Sequence, residues 1–286
     1  MIDSLNCKDS DETGRWNTFL SAHTEFPKAR WEEVQLMLKY AKPKPGERII
    51  EFSTGSGYLT LPLACAAKPG EVITYDVFAG NLESIRQITK EQELAITPKL
   101  FTFPDNSNNH NHNYRYRFEE ERENIDKVVS LATFHHCDVR KTSYHTIDTG
   151  IQGRLSIFQE TARVLVPKGM IIIGDVAENT TAQKYFDAIQ EPRYCHPLGH
   201  PHAFLTEELV DQLCREASLS LKEYKIESTP WHFETKDQIV AFLHRLHNAQ
   251  CSLQELEPIV ERYLPLQKTQ RGVEVVWELC FVVAEK

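Results

Sequence analysis

Short apolar runs alternate along the chain with longer segments of helical spacing. Residues 48–52 and 126–132 are apolar at most positions, which is typical of strands buried on both faces. Residues 81–93 instead place Leu82, Ile85 and Ile88 on one helix face. This alternation predicts an α/β protein whose parallel sheet is covered on both sides. The predicted strands are residues 48–52, 72–75, 100–103, 126–132, 170–174, 221–228 and 274–284; the predicted helices are 58–67, 81–93, 155–166, 206–217, 236–247 and 258–263, with N-terminal helices over 15–40.

Two stretches break the pattern. Residues 105–117 (DNSNNHNHNYRYR) are too polar for a core element and are interpreted as a surface loop between ordered segments. Residues 167–169 (PKG) are read as a stop signal before the fifth strand. No linker rich in Pro, Gly and Ser divides the chain, so we expect one domain.

Composition limits the classes of function. The chain has 286 residues, of which 41% are hydrophobic and 26% charged, as in ordinary globular proteins. A net charge of −9 argues against a nucleic-acid partner. No apolar run reaches the ~18 residues of a membrane-spanning helix, and no signal peptide is recognisable. The seven cysteines are scattered and form no C-x-x-C pair, which favours free thiols. We therefore expect a cytoplasmic protein without membrane partners, and the sequence leaves its oligomeric state open.

The turn after the first predicted strand carries the most specific signal. Residues 51–57 (EFSTGSG) place small residues where backbone can approach a ligand closely. In open parallel sheets, ligands bind at this carboxyl edge, where the strand order reverses. The Glu51 carboxylate would repel a phosphate and suits a ligand with ammonium or hydroxyl groups. Asp76 ends the next strand, 19 residues beyond Gly57, and is placed to accept hydrogen bonds from a ribose diol.

These residues resemble the class I S-adenosylmethionine-dependent methyltransferases, of the type that acts on small molecules. Glu51, Gly55 and Gly57 match the family's first motif, while Ser53 stands where the family usually has a glycine. Asp76 matches the ribose-binding acid, and Val77 the apolar residue beside the adenine. Further matches follow in family order: residues 126–136 for the fourth strand, with Ser130 and Leu131; residues 160–169 before the fifth strand; and residues 278–285 for the last strand.

The resemblance implies a Rossmann-like, seven-stranded, mostly parallel sheet with helices on both faces and an antiparallel last strand. It implies an N-terminal helical segment (residues 1–40), a cofactor-binding core (41–180), and a cap with the last strands (181–286). S-adenosyl-L-methionine is the implied cofactor. Asp105 falls where the family often has an acid that binds the adenine amino group, although a solvated loop explains it equally well.

Other interpretations stay open. Gly55 and Gly57 could form a tight turn in another nucleotide-binding protein, and Asp76 could be a helix N-cap. A nicotinamide-dependent oxidoreductase is disfavoured because no G-x-G-x-x-G is present. Ser53 leaves open a member that has lost methyl transfer or the cofactor site and acts as a scaffold or regulator. The same fold sometimes hosts other chemistry on the cofactor.

The implied reaction is transfer of a methyl group to a small-molecule acceptor. His135 and His136 follow the fourth strand at the pocket mouth, where either could act as a general base because histidine titrates near neutral pH. They could equally support the fold. No metal is expected to take part.

Candidate acceptor contacts come from the segments around the core. Trp231 and Phe233 are spaced to point the same way from an extended chain, as pocket wall or as core. Trp16, with Phe19, is expected to form the opposite wall. Residues 194–202 (YCHPLGHPH) include Tyr194 and His200 and are interpreted as a substrate lid, with a plain loop as the alternative. A third interpretation is that Cys195, His196, His200 and His202 together ligate a transition metal, although their spacing matches no defensible zinc pattern.

Overall fold

The structure is a computed structural model that describes residues 10–101, 116–142, 145–148, 150–195 and 202–286. Helices and strands alternate along most of this range. The strands are β1 (Arg48–Phe52), β2 (Glu71–Asp76), β3 (Ile96–Leu100), β4 (Ile125–Leu131), β5 (Val139–Thr142), β6 (His145–Asp148), β7 (Leu165–Asp175), β8 (Ser220–Ser228), β9 (Trp231–Phe233), β10 (Leu266–Thr269), β11 (Gly272–Val275) and β12 (Glu278–Glu285). The helices are α1 (Ser10–Glu25), α2 (Trp31–Ala41), α3 (Thr60–Ala67), α4 (Ala79–Gln92), α5 (Gln152–Val164), α6 (Thr181–Ile189), α7 (Glu207–Glu216), α8 (Lys236–Leu246) and α9 (Leu253–Tyr263), with one 3₁₀ turn at Phe134–His136.

Seven of the described strands form one sheet in the order β3-β2-β1-β4-β7-β12-β8. Strands β1, β2, β3, β4 and β7 pair in parallel, whereas β12 is antiparallel to both of its neighbours. The predicted fold class is therefore confirmed, including the antiparallel last strand. The strand order reverses between β1 and β4, so the carboxyl ends of these two strands flank the crevice where such sheets bind ligands.

Apolar side chains cover both faces of the sheet. One cluster joins α2, α3 and the cap to one face, and a second packs α5 and α7 against the other. The cap is a three-stranded sheet, β10-β11-β9, together with α8 and α9. Helix α1 packs against α8, which connects the N-terminal segment to the cap. Among the described residues, no helix combines the length and apolar character needed to cross a bilayer.

Three predicted boundaries were wrong. The third strand occupies Ile96–Leu100 rather than 100–103. Its sequence, ITPKL, is too polar to be recognised as a strand from an apolar pattern. The proline is tolerated because β3 lies at the edge of the sheet. The fifth strand begins at Leu165 and bulges through residues 167–169, with Lys168 at φ 68°, so these residues do not stop it. The predicted last strand divides into β11 and β12.

The sequence patterns also missed several short elements. The β5–β6 hairpin, β9 and β10 were not predicted, since each of these strands has only three or four residues. Helix α6 was also not predicted, although it buries Ala182, Tyr185, Phe186 and Ile189 at helical spacing. Most of the predicted 105–117 loop lies outside the described residues.

Candidate functional site

The loop after β1 keeps a glycine-like backbone at all three alternating positions. Ser53, Gly55 and Gly57 have φ angles of 70°, 52° and 79°, in the left-handed region. Ser53 adopts this conformation although it costs an L-residue roughly 1–2 kcal/mol, and its N–H donates to the Tyr75 carbonyl over 2.8 Å. A Cβ added to Gly57 would lie 2.3 Å from Ile85 Cδ1, so α4 packs directly on the loop. The serine therefore leaves the turn geometry intact.

Glu51 is a buried acid at the base of this loop. Its Oε2 accepts hydrogen bonds from the hydroxyls of Thr60 (2.6 Å) and Thr74 (2.7 Å). Burial raises the pKa of Glu51 to about 7, and the threonine hydrogen bonds oppose that shift only in part. A cation bound beside Glu51 would favour its charged form, so this carboxyl is suited to an ammonium ligand.

Asp76 ties β2 to the glycine loop. Its Oδ2 accepts from the N–H of Gly55 at 2.9 Å, and its Oδ1 from the N–H of Phe78 at 2.8 Å. Burial raises the pKa of Asp76, against these hydrogen bonds. Helix α4 begins at Ala79 with Phe78 as its N-cap, so Asp76 is not the capping residue. The Asn81 side chain and the Val77 N–H also donate towards this carboxylate and oppose the rise in its pKa.

Helix α1 lies over this loop. The Phe19 ring is 3.9 Å from the position of a Cβ added to Gly55. The Trp16 ring stacks on Phe78, with ring centroids 5.0 Å apart, beside the predicted adenine-side residue Val77. The predicted contribution of the N-terminal segment is thus at the cofactor end of the site, where Trp16 covers the residues that follow Asp76.

Several buried polar atoms around the loop have no hydrogen-bond partner among the described residues. They include Ser56 Oγ in the loop and Nε2 of His23. His23 stacks on Tyr58, whose backbone directly follows Gly57. Burying unpaired polar groups is costly, so their concentration here fits a polar ligand that would satisfy them. Together with the two acids, they suit an adenosyl ligand with an amino-acid end.

The end of β4 forms the other side of the crevice. Ser130 Oγ donates to the Phe52 carbonyl over 3.1 Å, which joins β4 to β1 at the point where strand order reverses. Leu131 is buried, and Ala132 turns the chain at φ 56°. In this structure the Ser130 hydroxyl thus links the ends of β4 and β1, and its predicted contact with the cofactor stays a prediction.

His135 is held by a buried aspartate at the end of β7. Its Nδ1 lies 2.6 Å from Oδ1 of Asp175, and its N–H donates to Oδ2 over 3.3 Å. Asp175 also accepts from the N–H groups of Thr133 and Val176, so backbone donors fix the carboxylate. His136 is exposed, with its ring centroid 4.0 Å from that of His135. His135 therefore has the oriented arrangement of a general base.

The predicted aromatic wall is a buried layer between the N-terminal segment and the cap. The Trp231 indole N–H donates to Glu33 Oε1 over 2.6 Å, and the Trp231 ring stacks on Trp277 with centroids 4.2 Å apart. Phe233 is buried against Phe242. Both predicted residues point to the same side, as expected, and both are core residues here. Their role in acceptor binding stays a prediction.

The remaining candidates lie near the connection between α6 and α7. Tyr194 is buried, and its carbonyl accepts from the N–H of Gln250. Cys195 Sγ donates to the Gln190 carbonyl, and His202 Nε2 lies 3.4 Å from Asp187 Oδ1. Asp105, His196 and His200 lie outside the described residues. None of the described cysteines (65, 137, 195, 214, 251 and 280) forms a disulfide with another described residue.

Three buried residues of this region were not predicted. Asp175 could have been found, because it ends a strand at the carboxyl edge where ligands bind. Arg30 and Glu33 carry no such signal, since their local sequence resembles any amphipathic helix start. They join the site only through the packing of α1 and α2 against the sheet.

The sheet order, the antiparallel β12 and the small-residue loop after β1 define the fold of class I S-adenosylmethionine-dependent methyltransferases. No protein-family model and no curated protein matches the chain. The likeness is one of structure, at sequence identities too low to carry more than the fold.

Three solved structures illustrate this likeness. A Bacillus halodurans protein assigned as a methyltransferase has a TM-score of 0.57 at 14% identity, covering 88% of this chain and 98% of that one. Geranyl diphosphate methyltransferase in complex with S-adenosylmethionine has a TM-score of 0.50 at 9% identity, over 88% and 83%. The [4+2]-cyclase SpnF has a TM-score of 0.50 at 12% identity, over 88% and 79%.

Proposed function

We propose that this protein is an S-adenosylmethionine-dependent methyltransferase that acts on a small-molecule acceptor. The observation that carries the proposal is the left-handed turn at Ser53, Gly55 and Gly57, held to Asp76 by a hydrogen bond at the point where strand order reverses. This turn lets backbone approach a ligand, while Glu51 and Asp76 provide acids on either side of it.

The chain's own residues divide the binding of the cofactor between them. Asp76 would accept hydrogen bonds from the ribose hydroxyls, and Val77 would pack beside the adenine. Glu51 would take the ammonium group of the amino-acid end. When bound, the cofactor supplies a methyl group activated by a sulfonium leaving group. Helix α1 would exclude water from this end of the site, because Phe19 and Trp16 cover the loop.

His135 would accept the proton that an acceptor hydroxyl or ammonium group loses during transfer. The Asp175 carboxylate beside Nδ1 would stabilise the imidazolium that forms when His135 takes up this proton. Four acceptor positions on Asp175 are used by His135 and its backbone neighbours, so the imidazole orientation is fixed before an acceptor binds.

Helix α1 and the cap cover the carboxyl edge of the sheet, which favours a small acceptor. Helix α1 lies on the glycine loop, and the cap packs on α1 through α8. His135 is only 4% exposed, so an acceptor must be small if its reactive atom is to reach the imidazole. A bulky protein or nucleic-acid chain would require most of this cover to move.

Calorimetric titration tests the proposal. Wild type, Asp76→Ala and the exposed control Asp211→Ala are titrated with S-adenosylmethionine, S-adenosylhomocysteine and NAD. We expect micromolar binding of the two sulfur ligands to wild type and to Asp211→Ala, loss of binding in Asp76→Ala, and no binding of NAD. Binding of NAD alone would overturn the proposal in favour of an oxidoreductase.

A second candidate is a member that binds the cofactor but does not transfer methyl groups. The similarity to SpnF favours it, since that protein is a cyclase on the same fold. Screening the loaded protein with labelled S-adenosylmethionine against pooled small acceptors separates the two. Tight binding without label transfer to any pool would support the non-methylating or scaffold function, and absence of all binding would indicate a lost site.

A further inference from the structure

A cationic side chain is buried between two aromatic rings beside the glycine loop. Arg30 lies in the connection between α1 and α2 and is 8% exposed. Its Cζ atom is 5.0 Å from the Tyr58 ring centroid and 5.1 Å from that of Trp231. Stacking and pairing make such burial tolerable for a guanidinium, which is more weakly hydrated than an ammonium group.

Among the described residues, the hydrogen-bond partner of this guanidinium lies on one edge. Nε and Nη2 of Arg30 both donate to Oε2 of Glu33, over 2.9 and 2.6 Å. The other carboxylate oxygen of Glu33 accepts from the Trp231 indole. Arg30 has five N–H donors, and none from Nη1 is bonded within the described residues. The edge formed by Nη1 and Nη2 therefore retains the donor pair that binds a carboxylate in a bidentate manner.

Arg30 is located beside the cofactor end of the site. Tyr58, which it stacks on, follows Gly57 directly, and the ring of His23 in α1 stacks on the same Tyr58 with centroids 5.3 Å apart. Burial, assisted by the positive charge of Arg30, lowers the pKa of His23 to about 3. Burial opposes the charge of Arg30, but Glu33 first and Asp175 among others raise its pKa, so the group stays cationic.

We propose that Arg30 is the anion anchor of this site, and that its Nη1 and Nη2 edge binds a carboxylate of a bound small molecule. The inference rests on the proposed function. Two carboxylates could provide the same chemistry: the amino-acid end of the cofactor and an acid group on the acceptor. Glu33 holds Arg30 in place and serves as the positioning residue.

Two variants of Arg30 test the anchor without leaving a lone buried charge. Arg30→Lys keeps a cation beside Glu33 but removes the planar two-nitrogen edge. The double variant Arg30→Gln/Glu33→Gln removes both charges together, because breaking a buried pair on one side is strongly destabilising. Arg215→Lys is the matched control, because it makes the same change at an exposed arginine that pairs with Asp211 outside the site. Thermal unfolding in buffer shows which variants fold.

The ligands separate the two sources of the carboxylate. S-adenosylhomocysteine carries the amino-acid end, and 5′-methylthioadenosine lacks it. If the anchor binds the cofactor, the affinity for S-adenosylhomocysteine falls about tenfold or more in both Arg30 variants, and that for 5′-methylthioadenosine stays unchanged. If it binds the acceptor, both affinities stay unchanged, while acetate and benzoate raise the unfolding temperature of the wild-type complex and not that of the variants.

Equal behaviour of wild type and both Arg30 variants towards all four ligands would overturn the anchor. A wild type that binds neither adenosyl ligand would instead count against the proposed function. In that case the unfolding temperature of the free protein is compared with and without acetate or benzoate. A rise in wild type that is lost in both Arg30 variants supports the anchor. An equal rise in all three proteins, or no rise in any of them, contradicts it.

Discussion

His135 and Asp175 are joined by a buried hydrogen bond of 2.6 Å between Nδ1 and Oδ1, although they follow different strands, β4 and β7. The two strands pair in parallel, so their carboxyl ends meet at one edge of the sheet. The aspartate is fully buried and accepts from three backbone N–H groups as well. Sheet pairing therefore orients the one histidine of the pair that faces inward.

This relationship predicts different effects at the two adjacent histidines. The double variant His135→Ala/His136→Ala should bind S-adenosylhomocysteine as wild type does but turn over poorly. We expect His135→Ala alone to account for that loss, with kcat lowered about 100-fold or more, whereas His136→Ala should lower it less than threefold, since that ring is exposed. Equal losses of kcat in the two single variants would contradict an orienting role of Asp175.

Asp175→Asn tests the orientation directly. The amide has nearly the same shape but can no longer accept from Nδ1–H as a charged group, so His135 loses its fixed tautomer. We expect a fall in kcat of about 100-fold or more with unchanged affinity for S-adenosylhomocysteine, together with an altered pH profile of kcat/KM. A loss that appears only as lower thermal stability, with a normal pH profile, would assign Asp175 a structural role.

Ser53 carries backbone strain that a substitution can relieve or increase. Ser53→Gly should leave the free energy of unfolding within about 1 kcal/mol of wild type, because relief of the left-handed strain is offset by the greater freedom of the unfolded chain. Ser53→Val should lower it by about 1–3 kcal/mol, since a β-branched residue fits this region poorly. Urea unfolding measures both. Equal cofactor affinity of wild type and Ser53→Gly would show that the serine is compatible with a working site.

Glu51 should make cofactor binding depend on pH. Its pKa of about 7 in the free protein means that charging it for an ammonium ligand becomes harder as the pH falls. The affinity for S-adenosylhomocysteine should weaken about tenfold between pH 8 and pH 6. In Glu51→Gln the affinity should be lower at pH 8 and nearly independent of pH. A wild-type affinity that is flat over this range would contradict contact between Glu51 and the ammonium group.

Buried neutral histidines should weaken the fold in acid. Burial, assisted by the charge of Arg30, lowers the pKa of both His23 and His247 to about 3, against 6.5 for the free side chain. A histidine with a depressed pKa contributes stability that is complete above pH 6.5 and is lost as the pH falls towards 3. Each site adds at most about 1.4 kcal/mol per pH unit to this slope.

The variant His247→Asn removes one of these sites. Its free energy of unfolding should fall less steeply than that of wild type between pH 6 and pH 4, even if it is lower at pH 7 because the contact with Tyr185 is lost. Urea unfolding at several pH values measures the slope, with the exposed His136→Asn as the control. Parallel slopes for wild type and His247→Asn would show that His247 is not held neutral.

The sequence predicted the fold well because the central strands are apolar on both faces and the turn after β1 is locally determined. Asp76 and the glycine positions could be placed for the same reason: their neighbours are close in sequence. The edge strand β3 escaped because it buries little and so needs little apolar pattern. Arg30 and Glu33 escaped because long-range packing alone brings them to the site, whereas Asp175 could have been placed as the last residue of β7.

Strand β12 lies between β7 and β8, although it is the last of the described elements to leave the ribosome. Strand β8 pairs with β12 alone in the described sheet, so it must wait for residues 278–285 to emerge before it can join. During synthesis the nascent chain therefore exposes the free edge of β7 and an unattached β8. Insertion of one late strand between them completes the sheet, so the spatial order of these strands differs from the order in which they are synthesised.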